Sequence, residues 1–344
     1  MSKTFKLSAI MLFSVLGLQI SRILFGLLPL SDNISSWLFS FIMQCGFLGL
    51  FPYLLYKACF KGESNFLKEI RVRAKVHPLS YLLAVVIGLL TYGVNVGAST
   101  VWYLLLTSFG FTYVRGAGTL FTSPEVLVFE IITSCLLPAI FEEITDRGLL
   151  LATLDDVKSD TVKVIAVGLF FGACHQNMPQ LGPTAIAGVI IGFMAIKSGS
   201  ILPGMIVHFM NNFIVTLGAY FAQKGITIPV LGAIEEFIYS NGLLSIGFGA
   251  LCGIAVIFLL RAFMNINAKY QNKDTKNKVE DTISEIYGIH YNHNASGLPL
   301  YYSATQKEDK TIVKTKKSDY LLLVVAFLSA MAVTIFTYIW GLLR

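Results

Sequence analysis

The sequence predicts an all-α protein, a polytopic bundle of about eight or nine transmembrane helices with a cytosolic N-terminus. Three observations carry this prediction. Of 344 residues, 55% are hydrophobic and only 13% are charged, and the mean hydropathy is +0.69, unlike a soluble domain of this length. Apolar runs of about 18 residues or more, the length needed to cross a bilayer, recur along most of the chain. These runs are continuously apolar and do not alternate, which favours helices over a β-barrel.

The predicted spans follow the apolar runs in chain order. They are 7–30, 35–58, 79–108, 124–154, 164–177, 184–197, 200–223, 242–264 and 319–343. The first starts after two lysines, as a signal peptide would, but it continues to Leu30 without a clear cleavage site, so we interpret it as an uncleaved anchor. The fifth and sixth are short and are joined by 178–183, so they either cross thinly or form a re-entrant hairpin.

Lysine and arginine concentrate in the loops on one predicted side of the membrane. They crowd the loop after the second span, flank the loop after the fourth and recur in the polar stretch 265–318. The positive-inside rule then places the N-terminus in the cytosol and the C-terminus outside. The net charge of +6 therefore reports topology and does not indicate nucleic-acid binding. We expect a multi-pass protein of the cell membrane, the plasma membrane if the source is bacterial.

The chain divides into five predicted parts. These are N-terminal transmembrane helices (1–119), a helix core that carries ionisable residues (120–223), a further transmembrane segment (224–264), a polar cytosolic loop (265–318) and a C-terminal transmembrane helix (319–344). We interpret the histidine pair His290 and His293 as part of a solvated, partly disordered loop rather than a metal site. The five cysteines form no CxxC pair, so they predict neither a disulfide framework nor a zinc ribbon.

Ionisable residues deep within three predicted spans are the informative exceptions, because each costs about 2.5–3.5 kcal/mol at the centre of a helix. Glu143 and Arg147 are four residues apart in the order that favours an ion pair, and Glu142 lies about 100° around the same helix. His208 and Asn212 are also four residues apart, so both can face one site. The remaining group, His175, ends the fifth span.

Three of these residues are predicted to lie at similar depth. At about 1.5 Å per residue, Glu142 lies roughly 20 Å from the cytosolic end of its helix. On the same basis His175 lies about 18 Å and His208 about 13 Å from that side. Two chemistries suit a carboxylate with two imidazoles. A divalent metal such as zinc could be bound by Glu142, His175 and His208, or Glu142 and His175 could activate a water directly as general base.

The runs EEITDRG, FGACH and HFMNN occur in this order on separate hydrophobic helices. They resemble the three motifs EExxxR, FxxxH and HxxxN of the CPBP family, which comprises the type II CAAX prenyl endopeptidases and the bacterial Abi proteins. The resemblance covers about residues 120–220. It implies an intramembrane endopeptidase in which Glu142 and His175 activate water, His208 and Asn212 stabilise the oxyanion, and Glu143 and Arg147 form a supporting ion pair.

One position departs from the family pattern. The residue before the arginine, commonly aromatic or apolar in the family, is Asp146 here, four residues after Glu142. Two carboxylates therefore share one helix face. This second carboxylate would tune the base, supply a metal ligand, or mark a protein that no longer cleaves anything.

The leading hypothesis is a membrane endopeptidase acting on a membrane-embedded peptide or protein, or on a lipid-modified C-terminus. The main alternative is a catalytically inactive scaffold of the same fold that regulates a membrane-protein partner, such as a sensor kinase or a cell-envelope enzyme. A transporter with an intramembrane proton relay is disfavoured because no inverted repeat is evident.

Overall fold

The protein is described by a computed structural model. It describes residues 1–27, 32–62, 65–72, 75–112, 119–226, 241–287 and 315–343. The stretch 227–240 and the histidine pair His290 and His293 lie outside the described residues. Within the described ranges every regular element is helical, which confirms the predicted all-α class.

The described ranges form ten helices, numbered here in chain order. They are α1 (Lys3–Gly26), α2 (Asp32–Phe41, Ile42–Leu50 and Phe51–Phe60), α3 (Phe66–Glu69), α4 (Leu79–Ser108), α5 (Pro124–Thr153), α6 (Asp160–Cys174), α7 (Met178–Ser198), α8 (Leu202–Lys224), α9 (Gly242–Tyr287) and α10 (Leu321–Leu342, after a 3₁₀ turn at Lys317–Tyr320). Eight of the helices in the described part of the chain are long and apolar enough to cross a membrane. The protein is thus a multi-pass integral membrane protein, as predicted.

Polar contacts gather the predicted cytosolic segments at one end of the bundle. Lys3 beside the N-terminus binds Glu69 at 2.6 Å and Asp155 at 3.1 Å, and Arg71 binds Asp155 at 2.6 Å. These contacts join the start of α1 to the loops that follow α2 and α5. At the opposite end, the backbone N–H of Thr112 donates to the carbonyl of Gly341. The segment after α4 and the end of α10 therefore share the other side, as the charge pattern predicts.

Helices α6 and α7 form an antiparallel pair. The start of α6 and the end of α7 both lie on the side of the bundle that holds the N-terminus of the chain. Lys197 at the end of α7 binds Asp160 at the start of α6 at 2.7 Å. The turn between the helices lies inside the bundle, where the Met178 carbonyl accepts from Trp102 Nε1 of α4 at 2.7 Å and its N–H donates to Thr337 of α10 at 3.0 Å. Because α6 has only 15 residues, about 22 Å, it falls short of a bilayer-spanning length.

Two sequence-based boundaries need correction. The predicted loop 178–183 is the first turn and a half of α7, because a proline at the start of a helix removes only an N–H that has no helical partner. The predicted cytosolic loop 265–318 begins as helix, since α9 continues without interruption to Tyr287. The hydropathy change near residue 264 therefore marks where the helix leaves the membrane and not where it ends.

Glycines let α6 and α7 pack closely. A Cβ on Gly188 would lie 2.9 Å from the Cα of Gly168, and one on Gly172 would lie 2.6 Å from the carbonyl of Leu181. These glycines thus bring the two backbones together, as small residues do in other transmembrane helix pairs. This close pairing fixes the position of the last turn of α6, which carries His175.

Candidate active site

Helix α5 carries three of the predicted site residues at an interruption of its regular α-helix. It changes to π-helical geometry at Ile131–Leu136 and again at Ile144–Leu149. Glu142 and Glu143 end the α-helical stretch between these two segments, and Arg147 lies within the second. Because π-helical turns rotate the following side chains, they are often found at functional sites.

The predicted ion pair between Glu143 and Arg147 is present and completely buried. Arg147 Nη1 donates to Glu143 Oε1 at 2.9 Å, and both side chains are 0% exposed. The guanidinium also stands over the ring of Phe171, 4.2 Å from its centroid, and Nη2 donates to the carbonyl of Gly188 at 3.3 Å. These contacts anchor α5 to α6 and α7 through one arginine.

His208 on α8 joins the same cluster through Glu143. Its Nδ1 lies 2.9 Å from Glu143 Oε1, and since a carboxylate can only accept, Nδ1 carries the proton. Its Nε2 lies 3.8 Å from Glu142 Oε2. This is beyond a direct hydrogen bond but close enough for one water to bind both atoms.

His175 is oriented by the backbone of its own helix. Its Nδ1 lies 2.9 Å from the carbonyl of Phe171, which can only accept, so the proton is on Nδ1 and Nε2 of the neutral ring has a free lone pair. The carbonyl of His175, at the end of α6, accepts from Arg22 Nη1 of α1 at 2.9 Å. Both imidazoles, those of His175 and His208, pack edge-on against Phe171.

Glu142 and His175 line one cavity of about 140 Å³. Asp146, which is 4% exposed, lines it as well. The other walls come from α1, α2, α5 and α6. They are formed by Met11, Ser14, Val15, Leu18, Arg22, Phe39, Ser40, Met43, Gln44, Leu48, Thr145, Phe171 and Cys174. A cavity of this size admits a group about as large as benzene, so it suits one side chain or a few waters.

Asn212 points elsewhere. Its Nδ2 donates to the carbonyl of Ser134 at 3.1 Å, and Asn212 is not among the residues that line the cavity. The reason lies in the sequence of α5. Pro138 has no N–H to give to the carbonyl four residues earlier, that of Ser134, so this carbonyl needs another donor. The structure therefore brings Glu142, His175 and His208 together, whereas Asn212 binds the backbone of α5 and does not line the cavity.

A second proline explains how α2 meets α5. Pro52 leaves the carbonyl of Leu48 without its usual helical donor, and Thr145 Oγ1 donates to that carbonyl at 2.9 Å. Close by, Gly49 packs against Phe141, where an added Cβ would lie 2.6 Å from the ring. The nine-residue π-helical stretch Ile42–Leu50 is thus fastened to α5 beside Glu142.

The metal hypothesis is not supported. Among the residues that the structure describes, no group of three or more His, Cys, Asp and Glu side chains is placed to hold a metal ion. The predicted zinc ligands Glu142, His175 and His208 therefore do not form a donor set here, and no step below passes through a metal.

Two residues of the site were not identified as functional from the sequence. Gln44 donates from Nε2 to Glu142 Oε1 at 2.7 Å, but it lies in an apolar run about 100 residues before the motifs. The ring of Phe171 contacts Arg147 and both imidazoles, whereas a phenylalanine in an apolar span indicates only packing by its type. The only sequence signal for Gln44 is an amide inside a predicted span, a feature that Gln19 shares.

Comparison with known proteins adds one finding. No significant match was found among curated proteins or among solved structures. Residues 124–214 match a family model described as type II CAAX prenyl endopeptidase Rce1-like. This region runs from the start of α5 into α8 and includes the three motifs. Residues 124–214 are therefore similar to the Rce1-like type II CAAX prenyl endopeptidases, in agreement with the CPBP resemblance of the motifs.

Proposed function

We propose that this protein is an intramembrane endopeptidase that hydrolyses a peptide bond in a membrane-associated or lipid-modified peptide or protein. At the level of the family, the Rce1-like domain supports a membrane protease. The observation that carries the proposal is the shared cavity of Glu142 and His175, with His208 beside Glu142. A carboxylate and a neutral imidazole with a free Nε2 supply the two acceptors that an attacking water needs.

In the proposed reaction Glu142 and His175 take the proton of a water that attacks the substrate carbonyl. Glu142 Oε1 is held by Gln44, which leaves Oε2 free for the water. His208 stabilises the oxyanion, for which its Nε2 must carry a proton. Its Nδ1 stays bound to the carboxylate of Glu143 at 2.9 Å, which fixes the direction in which Nε2 points. The proton on the base then passes to the leaving amine.

The substitution Glu142→Gln tests this function, because the amide keeps the shape of the side chain and cannot act as a base. The purified protein in detergent is mixed with quenched fluorescent peptides that carry a farnesyl or palmitoyl anchor, and cleavage is followed by fluorescence and mass spectrometry. We expect Glu142→Gln to lower turnover by about 10²–10⁴-fold, the usual contribution of a general base, with the unfolding midpoint little changed.

A matched control is available on the same helix. Glu130 is also a carboxylate of α5, but it accepts from Trp37 and Ser134 and does not line the cavity. Glu130→Gln should therefore cleave the peptides at a rate close to that of the wild type. Equal turnover by the wild type and Glu142→Gln would contradict the proposal.

The second candidate is a non-catalytic scaffold of the same fold that binds a regulatory membrane-protein partner. The position of Asn212 favours it, because the amide that the motif assigns to the oxyanion donates instead to Ser134. A scaffold would cleave none of the anchored peptides, and Glu142→Gln would restore a deletion phenotype in cells as fully as the wild type does at equal abundance.

A further inference from the structure

Among the described residues, Gln44 is the one amide side chain that both lines the cavity and contacts the proposed base. It lies on α2, outside the region that matches the Rce1-like family, and it is 8% exposed. Its Nε2 donates to Glu142 Oε1 at 2.7 Å. Its own carbonyl oxygen, Oε1, is buried without a hydrogen-bond partner among the described residues.

The backbone around Gln44 is built to hold it there. It belongs to the π-helical stretch Ile42–Leu50, and three successive contacts fasten this stretch to α5. Gly49 packs on Phe141, Gln44 binds Glu142, and the carbonyl of Leu48 accepts from Thr145. Because these contacts fix both sides of the glutamine, its amide is a rigid part of the cavity wall.

An unpaired buried acceptor is costly, by roughly 1–3 kcal/mol. Because Nε2 is held by Glu142 and the amide group is planar, Oε1 keeps this unpaired position in the cavity wall. The peptide that enters this site brings donors of its own. A segment must unwind before its backbone is attacked, and each unwound N–H inside the membrane needs an acceptor.

We propose that Gln44 contacts the substrate directly: Nε2 holds Glu142, and Oε1 accepts a hydrogen bond from a backbone N–H beside the scissile bond. This inference rests on the proposed endopeptidase function. It extends the site to a helix that precedes the region of the chain that carries the three motifs. It also implies that the enzyme recognises the backbone of an unwound segment at this point, whatever the side chain there.

The test couples a change in the protein to a change in the substrate. A peptide cleaved by the wild type is resynthesised as a series in which each backbone amide flanking the scissile bond is replaced in turn by an ester, which removes one N–H. For the wild type we expect one position at which the ester lowers kcat/KM about tenfold, the scale of one hydrogen bond. In Gln44→Leu the unmodified peptide should be cleaved at least tenfold more slowly, and the ester at that position should have no further effect.

Gln19→Leu is the control, since Gln19 is also an amide on a transmembrane helix but donates to Ser329 Oγ at 3.4 Å and does not line the cavity. In this variant the ester at that position should still lower kcat/KM about tenfold. The unfolding midpoint of each variant is measured, and Gln44→Met replaces Gln44→Leu if the latter does not fold. If the ester lowers kcat/KM as much in the folded Gln44 variant as in the wild type, this inference alone is overturned. A wild type that cleaves none of the anchored peptides overturns the proposed function and this inference with it.

Discussion

Removing the guanidinium of Arg147 should destabilise the protein more than removing a charged group from the protein surface. In Arg147→Met the aliphatic stem remains, but Glu143 loses a partner at 2.9 Å inside the bundle, where both side chains are fully buried. The contact with the ring of Phe171 and the hydrogen bond to the carbonyl of Gly188 are lost as well. Only the Nδ1 proton of His208 then remains on the Glu143 carboxylate.

The expected magnitude follows from the burial of the pair. Breaking a buried ion pair by removing one partner costs about 3–5 kcal/mol, because the other charge is left unpaired, whereas replacing both partners by apolar groups is often neutral. Arg147→Met should therefore lower the free energy of unfolding by about 3–5 kcal/mol. The double variant Glu143→Leu/Arg147→Met should recover most of that loss.

The assay is denaturant unfolding of the purified protein in detergent micelles, with the exposed pair of Lys197 and Asp160 as control. These side chains are 29% and 45% exposed, so Lys197→Met should cost about 1 kcal/mol or less. The reasoning would be refuted if Arg147→Met cost no more than Lys197→Met. It would also be refuted if the double variant were less stable than Arg147→Met.

Three further predictions concern packing, chemistry and topology. Gly188→Ala should lower the unfolding midpoint, because its Cβ would lie 2.9 Å from the facing backbone; Gly192→Ala, with neighbours no closer than 3.6 Å, should not. Asn212→Ala should slow peptide cleavage less than about tenfold, since its amide is engaged outside the cavity; a loss of about 10²–10³-fold would instead identify it as an oxyanion donor. In a variant without the native cysteines, Lys224→Cys should react with a membrane-impermeant thiol reagent in intact cells and Lys68→Cys should not; the reverse labelling would invert the predicted orientation.

Several features of the molecule could be read from local patterns in the sequence. Helix α4 begins and ends where its apolar run does, at Leu79 and Ser108, because in lipid an uninterrupted apolar segment pairs its backbone groups within one continuous helix. The pairing of Glu143 with Arg147 follows from their spacing on one helix. Both depend on residues close together in the chain, so no knowledge of the neighbouring helices is needed.

Other features depend on which backbone groups the helices leave unpaired. The motif places Asn212 on the same face as His208, but the donor-free carbonyl created by Pro138 takes its amide. In the same way the loop predicted before Thr184 is helical in the structure: Pro179 lies in the first turn of α7, where its missing N–H costs nothing, and the helix continues through Pro183. Position in the helix, and not residue type, decides these outcomes.

By itself the sequence determined the fold class, the membrane location, the three motifs and the family that residues 124–214 match. Only the tertiary structure decided that α6 and α7 turn inside the bundle, that Phe171 joins Arg147 to both imidazoles, and that Gln44 holds Glu142. The physical reason is that hydropathy and residue spacing describe a single helix: whether it can lie in lipid, and which of its side chains share a face. Contacts between helices depend instead on where the helices cross. Two features set these positions: glycines, which let two backbones approach closely, and backbone carbonyls that lack a helical donor because a proline follows four residues later.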